Sequence, residues 1–207
     1  LVGSEMCIRD RAGCGKSTLI ETVFVQVAAL PRESARIVLL DPRRAHLVHA
    51  QHTMVAAYGS STDAMRTAIA DTAATLTARL PGADVTAEQL ASRSWWTGPD
   101  IYLLIDDFEL LPPEHLQPLM PLLPHTQDIG LHIVVARKFG GAARALMSQF
   151  MSTLRDQQPD AVIFSGTREE GQLFGVRPIP LNPGRGILVR AGDNAGPIQI
   201  AAREETP

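Results

Sequence analysis

The sequence predicts an α/β fold: a mostly parallel sheet covered by helices on both faces, with a hairpin at its C-terminal edge. Three observations predict it. Short continuous apolar runs at 35–41, 101–106, 131–136 and 161–165 are bounded by turn residues, the pattern of strands buried on both faces. Stretches of helical spacing separate these runs, and such alternation builds a parallel sheet from βαβ units. Finally, GILVR (186–190) and PIQIA (197–201) flank the turn-forming GDNAG (192–196), which reads as a hairpin.

The elements follow in order. The apolar segment TLIETVFVQVAAL lies within a helix over about 16–30 that Pro31 breaks, and ARIVLLD is a strand stopped by Pro42. Residues 62–80 carry apolar positions at helical spacing behind a Ser-Ser-Thr-Asp cluster suited to capping. Pro81-Gly82 ends that helix, and Thr86-Ala-Glu-Gln opens a short one. After the strand IYLLID, residues 114–123 lie between prolines as a further short helix. LHIVVA is the next strand, 142–154 the next helix, and AVIFS the last strand before the hairpin.

Composition bounds the function. With 207 residues, 45% apolar and 20% charged, the chain suits one domain with a substantial core. A formal charge of −3 gives no basis for a large nucleic-acid surface. Two cysteines provide no disulfide framework and suit a reducing compartment. No run of 18 apolar residues occurs, so no segment of the sequence is long and apolar enough to span a membrane as a helix.

The chemistry begins at Gly13-Cys-Gly-Lys-Ser-Thr18. Gly15, Lys16 and Ser17 fill the last three positions of the phosphate-binding loop G-x-x-x-x-G-K-[ST]. In that loop glycines let the backbone wrap a phosphate, the lysine neutralises it and the hydroxyl ligates Mg²⁺. The helix that follows directly presents free N–H groups and a positive dipole end to the same phosphates. Gly13, Cys14, Gly15, Lys16, Ser17 and Thr18 are therefore the expected ATP-binding residues. The pattern's first glycine is replaced by Asp10, and the preceding SEMCIRD is a poor strand, with only Ile8 qualifying. Residues 1–11 resemble translated adapter sequence at the end of a truncated reading frame. They are set aside as a non-native leader, leaving 12–203 as the ATPase domain and 204–207 as a tail.

The second half of the site is a strand that ends in acid. IYLLI (101–105) runs into Asp106-Asp107, and in open α/β sheets ligands collect at the carboxyl ends of strands. Asp106 is expected to join Ser17 in holding Mg²⁺, and Asp107 to orient an attacking water. Other phosphate-loop classes fit less well. SGTREEGQ (165–172) only echoes the L-S-G-G-Q of ABC ATPases, no arginine-rich kinase lid is evident, and the GTPase N-K-x-D is missing.

Further strings occur in order: DPRR (41–44), RSWWTGP (93–99), IDDFEL (105–110), LHIVVAR (131–137), GGAARAL (140–146), SGTREEG (165–171) and PGRG (183–186). Together they resemble the C-terminal ATPase module of the EccC-type translocases of type VII (ESX) secretion, within the FtsK/SpoIIIE motor group, over essentially 12–203. That resemblance implies a RecA-like fold and ATP with Mg²⁺ as cofactors. It implies sister ATPase modules on a membrane-anchored chain at the cytoplasmic face of the bacterial plasma membrane. Its cargo would be small helical-hairpin proteins bearing a W-x-G turn, and the last module is similar to one that receives a C-terminal signal on such substrates. By position it assigns Lys16, Ser17 and Asp106 to nucleotide and Mg²⁺, and His132 to Arg137 to a sensor strand. DNA is not an expected partner. The group's strongly hydrolytic motors carry Glu where Asp107 stands, so Asp107, one methylene shorter, implies tight binding with slow or conditional hydrolysis. A DNA-translocating motor and a non-hydrolysing ATP-bound peptide-binding module remain the alternatives.

Smaller features have plain readings. Trp95-Trp96 suit packing better than a partner patch. His46, His49 and His52 lack the companions of a metal site and read as surface or satisfied histidines. Arg43, Arg44 and Arg137 suit either a charge supplied to a neighbouring module or ion pairs within the chain.

Overall fold

The computed structural model describes residues 5–9, 15–138, 148–167, 171–190 and 196–200. In the apolar runs every second residue faces one side of the sheet, and both sides are covered. Leu103 and Ile105 of β4 (Asp100–Ile105), Ile133 and Val135 of β5 (Leu131–Lys138), and Ala161 and Ile163 of β6 (Asp160–Phe164) share one core. It is closed by α2 (Thr62–Thr77) and α4 (Gln149–Asp156). Their alternates Leu104, Val134, Ala136, Val162 and Phe164 form a second core with Leu19, Ile20, Val23 and Phe24 of α1 (Lys16–Ala28). Strands sandwiched this way need apolar residues at consecutive positions, which is why they read as unbroken runs.

The strand order is β3-β2-β4-β5-β1-β6-β7-β8, with β1 (Glu5–Arg9), β2 (Ala35–Leu40), β3 (Val55–Gly59), β7 (Arg185–Val189) and β8 (Gly196–Gln199) completing the sheet. Strands β1 to β6 pair in parallel, while β7 and β8 pair antiparallel at one edge as the expected hairpin. The α/β class, the covered faces and the edge hairpin agree with the sequence reading.

Two strands differ from it. Glu5–Arg9, set aside with the leader, forms β1 between β5 and β6, with Glu5 opposite both Val134 and Asp160. Val55–Gly59, to which the sequence reading assigns no element, is the second. It forms an edge strand that is only partly buried, so packing asks less of its side chains.

The short helix expected over 114–123 is a 3-10 segment, Pro113–His125. Pro118, Pro121 and Pro124 recur at the period of three that this helix shares, and each lacks the N–H an α-helix would use. Of the helix expected over 142–154, Gln149–Asp156 is present, while 139–147 lie outside the described residues. The short helix α3 (Ala87–Ser92) starts as foreseen: Thr86 Oγ1 accepts the Gln89 amide, and Gln89 Oε1 accepts the Thr86 amide.

The two tryptophans pack within the domain. Trp95 Nε1 donates to the Arg79 carbonyl at 2.7 Å, Trp96 Nε1 donates to the Asp128 carbonyl at 2.8 Å, and the Arg79 guanidinium lies 4.3 Å from the Trp96 ring centre. Nearby, His132 holds the Asp100 carboxyl below the usual carboxylate range by hydrogen bonding to it, against the upward push of burial.

Candidate nucleotide site

Gly15 turns the chain into α1 at φ +119°, a conformation that side chains rarely adopt. A Cβ here would also stand 3.1 Å from Phe164 Cε1 and 3.2 Å from Gly184 Cα. Gly15, at the N-cap of α1, has no side chain to cap its first amides, and no acidic residue lies in the first turn. These N–H groups and the helix dipole suit an anion. Lys16 and Ser17 open the helix, and the half-buried Thr18 follows.

Strand β4 delivers the carboxylates. Leu40 of β2 pairs with Ile105 of β4, so Asp41 and Asp106 leave adjacent strands side by side at their carboxyl ends. Asp106 is 1% exposed and Asp107 4% exposed. Asp106 Oδ1 accepts Lys16 Nζ at 2.8 Å and the Asp107 amide at 2.8 Å. Asp106 Oδ2 accepts Ser17 Oγ at 2.9 Å and lies 3.0 Å from His46 Nε2. Lys16 Nζ also donates to Asp107 Oδ1, whose other oxygen lies 3.1 Å from Arg43 Nε. Asp107 itself sits at φ +46°, in the left-handed region where a non-glycine residue is strained.

The electrostatics follow from this packing. Burial alone would raise the Asp106 pKa, but hydrogen bonds from His46 and Lys16 and their charges hold it well below the ordinary carboxylate range. Burial likewise opposes the charged forms of Lys16 and His46, and the facing carboxylates outweigh it, so both pKa values are raised. Asp41, fully buried, accepts the amides of Ala45 (2.9 Å) and His46 (2.7 Å) and the Tyr58 hydroxyl (2.9 Å). Burial and that bond push Tyr58 up to about 12.

The structure thus brings together Gly15, Lys16, Ser17, Thr18, Asp106 and Asp107. Gly13, Cys14 and Asp10 lie outside the described residues. The residues present fit a magnesium nucleotide: an uncapped helix start for phosphate, a lysine beside it, and a hydroxyl and carboxylate sharing one small volume. Sequence reasoning missed Asp41, His46 and Tyr58. A signal existed for Asp41, since ARIVLL runs into Asp41 as IYLLI runs into Asp106. His46 is a satisfied histidine, and so is His49, which bonds Glu21 Oε2 at 2.5 Å and stacks on Phe24. No group of three or more metal-type ligands occurs among the described residues. Of the arginines, Arg43 pairs with Asp107 inside the chain, and Arg137 is buried with Nε donating to the Lys138 carbonyl.

No protein-family model matches the chain. Curated relatives do. It is 40% identical over 193 residues to the ESX-4 secretion system protein EccC4 of Mycobacterium tuberculosis, covering 91% of this chain and 16% of that protein. It is 37% identical over 195 residues to the ESX secretion system protein EccC of Thermomonospora curvata, covering 92% of this chain and 15% of that protein. Among solved structures, "Thermomonospora curvata EccC (ATPases 2 and 3) in complex with a signal sequence peptide" superposes with a TM-score of 0.92 at 34% identity, over 98% of this chain and 37% of that one. This chain therefore spans about a sixth of the length of these two curated relatives. The chain belongs to the EccC family of type VII (ESX) secretion and has the RecA-like fold of that family's ATPase domains.

Proposed function

We propose that residues 12–203, with β1 completing their sheet, form one ATPase module of a type VII secretion translocase, the last in its chain, binding ATP with Mg²⁺. One observation carries the reading: Lys16 and Ser17 at the start of α1 meet Asp106 and Asp107 at the end of β4. Gly13, Cys14, Gly15, Lys16, Ser17 and Thr18 would bind the nucleotide, and Ser17 with Asp106 would hold the metal, whose chemistry is to neutralise charge on the phosphates. With Lys16 turned toward phosphate, Asp107 would keep Arg43 on one oxygen and have the other open to orient water. The short Asp107 side chain makes hydrolysis slow or dependent on a partner.

Occupancy of the site is coupled to recognition of a helical-hairpin substrate through its C-terminal signal, to sister ATPase modules and to a membrane secretion complex. A signal sequence peptide accompanies the Thermomonospora structure, which supports a peptide ligand here. No helix among the described residues is long and apolar enough to cross a membrane, and the cytoplasmic face of the plasma membrane is the proposed location.

The test is fluorescence polarisation of a labelled C-terminal peptide from a W-x-G hairpin protein, with duplex DNA as competitor at two salt concentrations. Saturable binding that DNA leaves unchanged is the expected result. Absence of peptide binding, with salt-dependent DNA binding in its place, would overturn the secretion reading in favour of a DNA motor.

A further inference from the structure

We infer that His46 is a positioning residue for Asp106: its imidazole fixes the orientation of the metal-holding carboxylate once Lys16 and Ser17 have turned to the nucleotide. The inference rests on the nucleotide reading above and deepens it. A carboxylate has about four acceptor sites, and all are used. Lys16 Nζ and the Asp107 amide occupy Oδ1, while Ser17 Oγ and His46 Nε2 occupy Oδ2. Two of these donors, Lys16 and Ser17, are the groups that nucleotide and Mg²⁺ call away. The Asp107 amide and His46 stay. The amide belongs to the next residue in the chain, so His46 is the remaining side chain that ties Asp106 to another element.

His46 is built to do this. It is 3% exposed, and its own amide donates to Asp41 Oδ2 at 2.7 Å. Asp41 is anchored in turn by the Ala45 amide and the Tyr58 hydroxyl on β3. Residues 41–46 are thereby folded into a clasp at the carboxyl end of β2, with Arg44 in the left-handed region at φ +58°. The other ring nitrogen, Nδ1, faces Glu21 Oε2 of α1 at 3.8 Å. The imidazole thus bridges the phosphate-loop helix to the carboxylate after β4. Groups that orient a metal-holding carboxylate in this way tune metal affinity by about 10–100-fold.

The experiment measures the affinity of the full chain for a fluorescent (mant) ATP, once with Mg²⁺ and once with EDTA, in wild type, His46→Ala and His46→Gln. The glutamine amide can donate to Asp106 where an alanine cannot. His46→Ala is expected to lose about tenfold of the Mg²⁺-dependent gain in affinity, with its EDTA affinity within about twofold of wild type. His46→Gln should recover most of that loss. Retained EDTA affinity reports that the alanine variant is folded. An unchanged Mg²⁺ gain in His46→Ala would overturn the positioning role and leave the nucleotide reading intact. Equal losses with Mg²⁺ and EDTA in both variants would make His46 structural only and also overturn it. No nucleotide binding by folded wild type would overturn the nucleotide reading and this inference together.

Discussion

Replacing Lys16 with alanine is expected to cost about 3 kcal/mol of unfolding free energy before any ligand is added. The lysine side chain is 4% exposed and is the cation between two buried carboxylates, Asp106 and Asp107. Removing one partner of a buried pair leaves charge in a poorly solvated place, which costs about 3–5 kcal/mol. The lower end applies because Asp106 keeps Ser17, His46 and an amide, and Asp107 keeps Arg43. Urea unfolding of the variant checks the magnitude. The mechanism is checked by adding Asp107→Asn, which removes one of the stranded charges and should restore about 1 kcal/mol or more. A Lys16→Ala variant as stable as wild type would mean that this triad is not held together in solution. The consequence for function is that a lysine-to-alanine variant reports on ATP only when its folded fraction is known.

Gly15→Ala is the second large effect, about 3 kcal/mol lost, combining backbone strain with overpacking. The residue sits at φ +119°, and the new Cβ would meet Phe164 Cε1 at 3.1 Å and the Gly184 backbone at 3.2 Å. Phe164 can yield only by disturbing a side chain that is fully buried in the second core. Gly171 supplies the control. It has φ +77° but no described atom within 4 Å of an added Cβ, so Gly171→Ala carries left-handed backbone strain without a clash and should cost about 1 kcal/mol. Thermal unfolding of both variants beside wild type measures the difference. Equal losses at the two positions would show that the contacts around Gly15 do not matter.

Much of this architecture was legible in the sequence because burial on both faces leaves a strong mark. Strands β2, β4, β5 and β6 carry apolar residues at consecutive positions, since Leu103 and Leu104, or Val134 and Val135, serve opposite cores. Edge strand β3 is mostly partly buried and includes two alanines and a glycine, so its signal is weak. Strand β1 carries charges at both ends of EMCIR, and composition argued against it although its backbone pairs with neighbours on both sides. Lys16, Ser17, Asp106 and Asp107 could be named beforehand because each belongs to a local pattern of loop, helix start or strand end. His46 could not. It reaches Asp106 from 60 positions away in the chain, and only the parallel pairing of β2 with β4 brings the clasp and the carboxylate together. The prolines of Pro113–His125 were visible, but the 3-10 geometry they impose follows from their spacing of three rather than their number.

The central claim is that the meeting of Lys16, Ser17 and Asp106 is a MgATP site, and calorimetric titration of the folded wild-type chain with ATP tests it most directly. Saturable binding at one site per chain, tighter with Mg²⁺ than with EDTA and absent from folded Lys16→Ala, is the expected result. A wild-type chain that is folded by circular dichroism yet gives no saturable heat with ATP, with or without Mg²⁺, would contradict it.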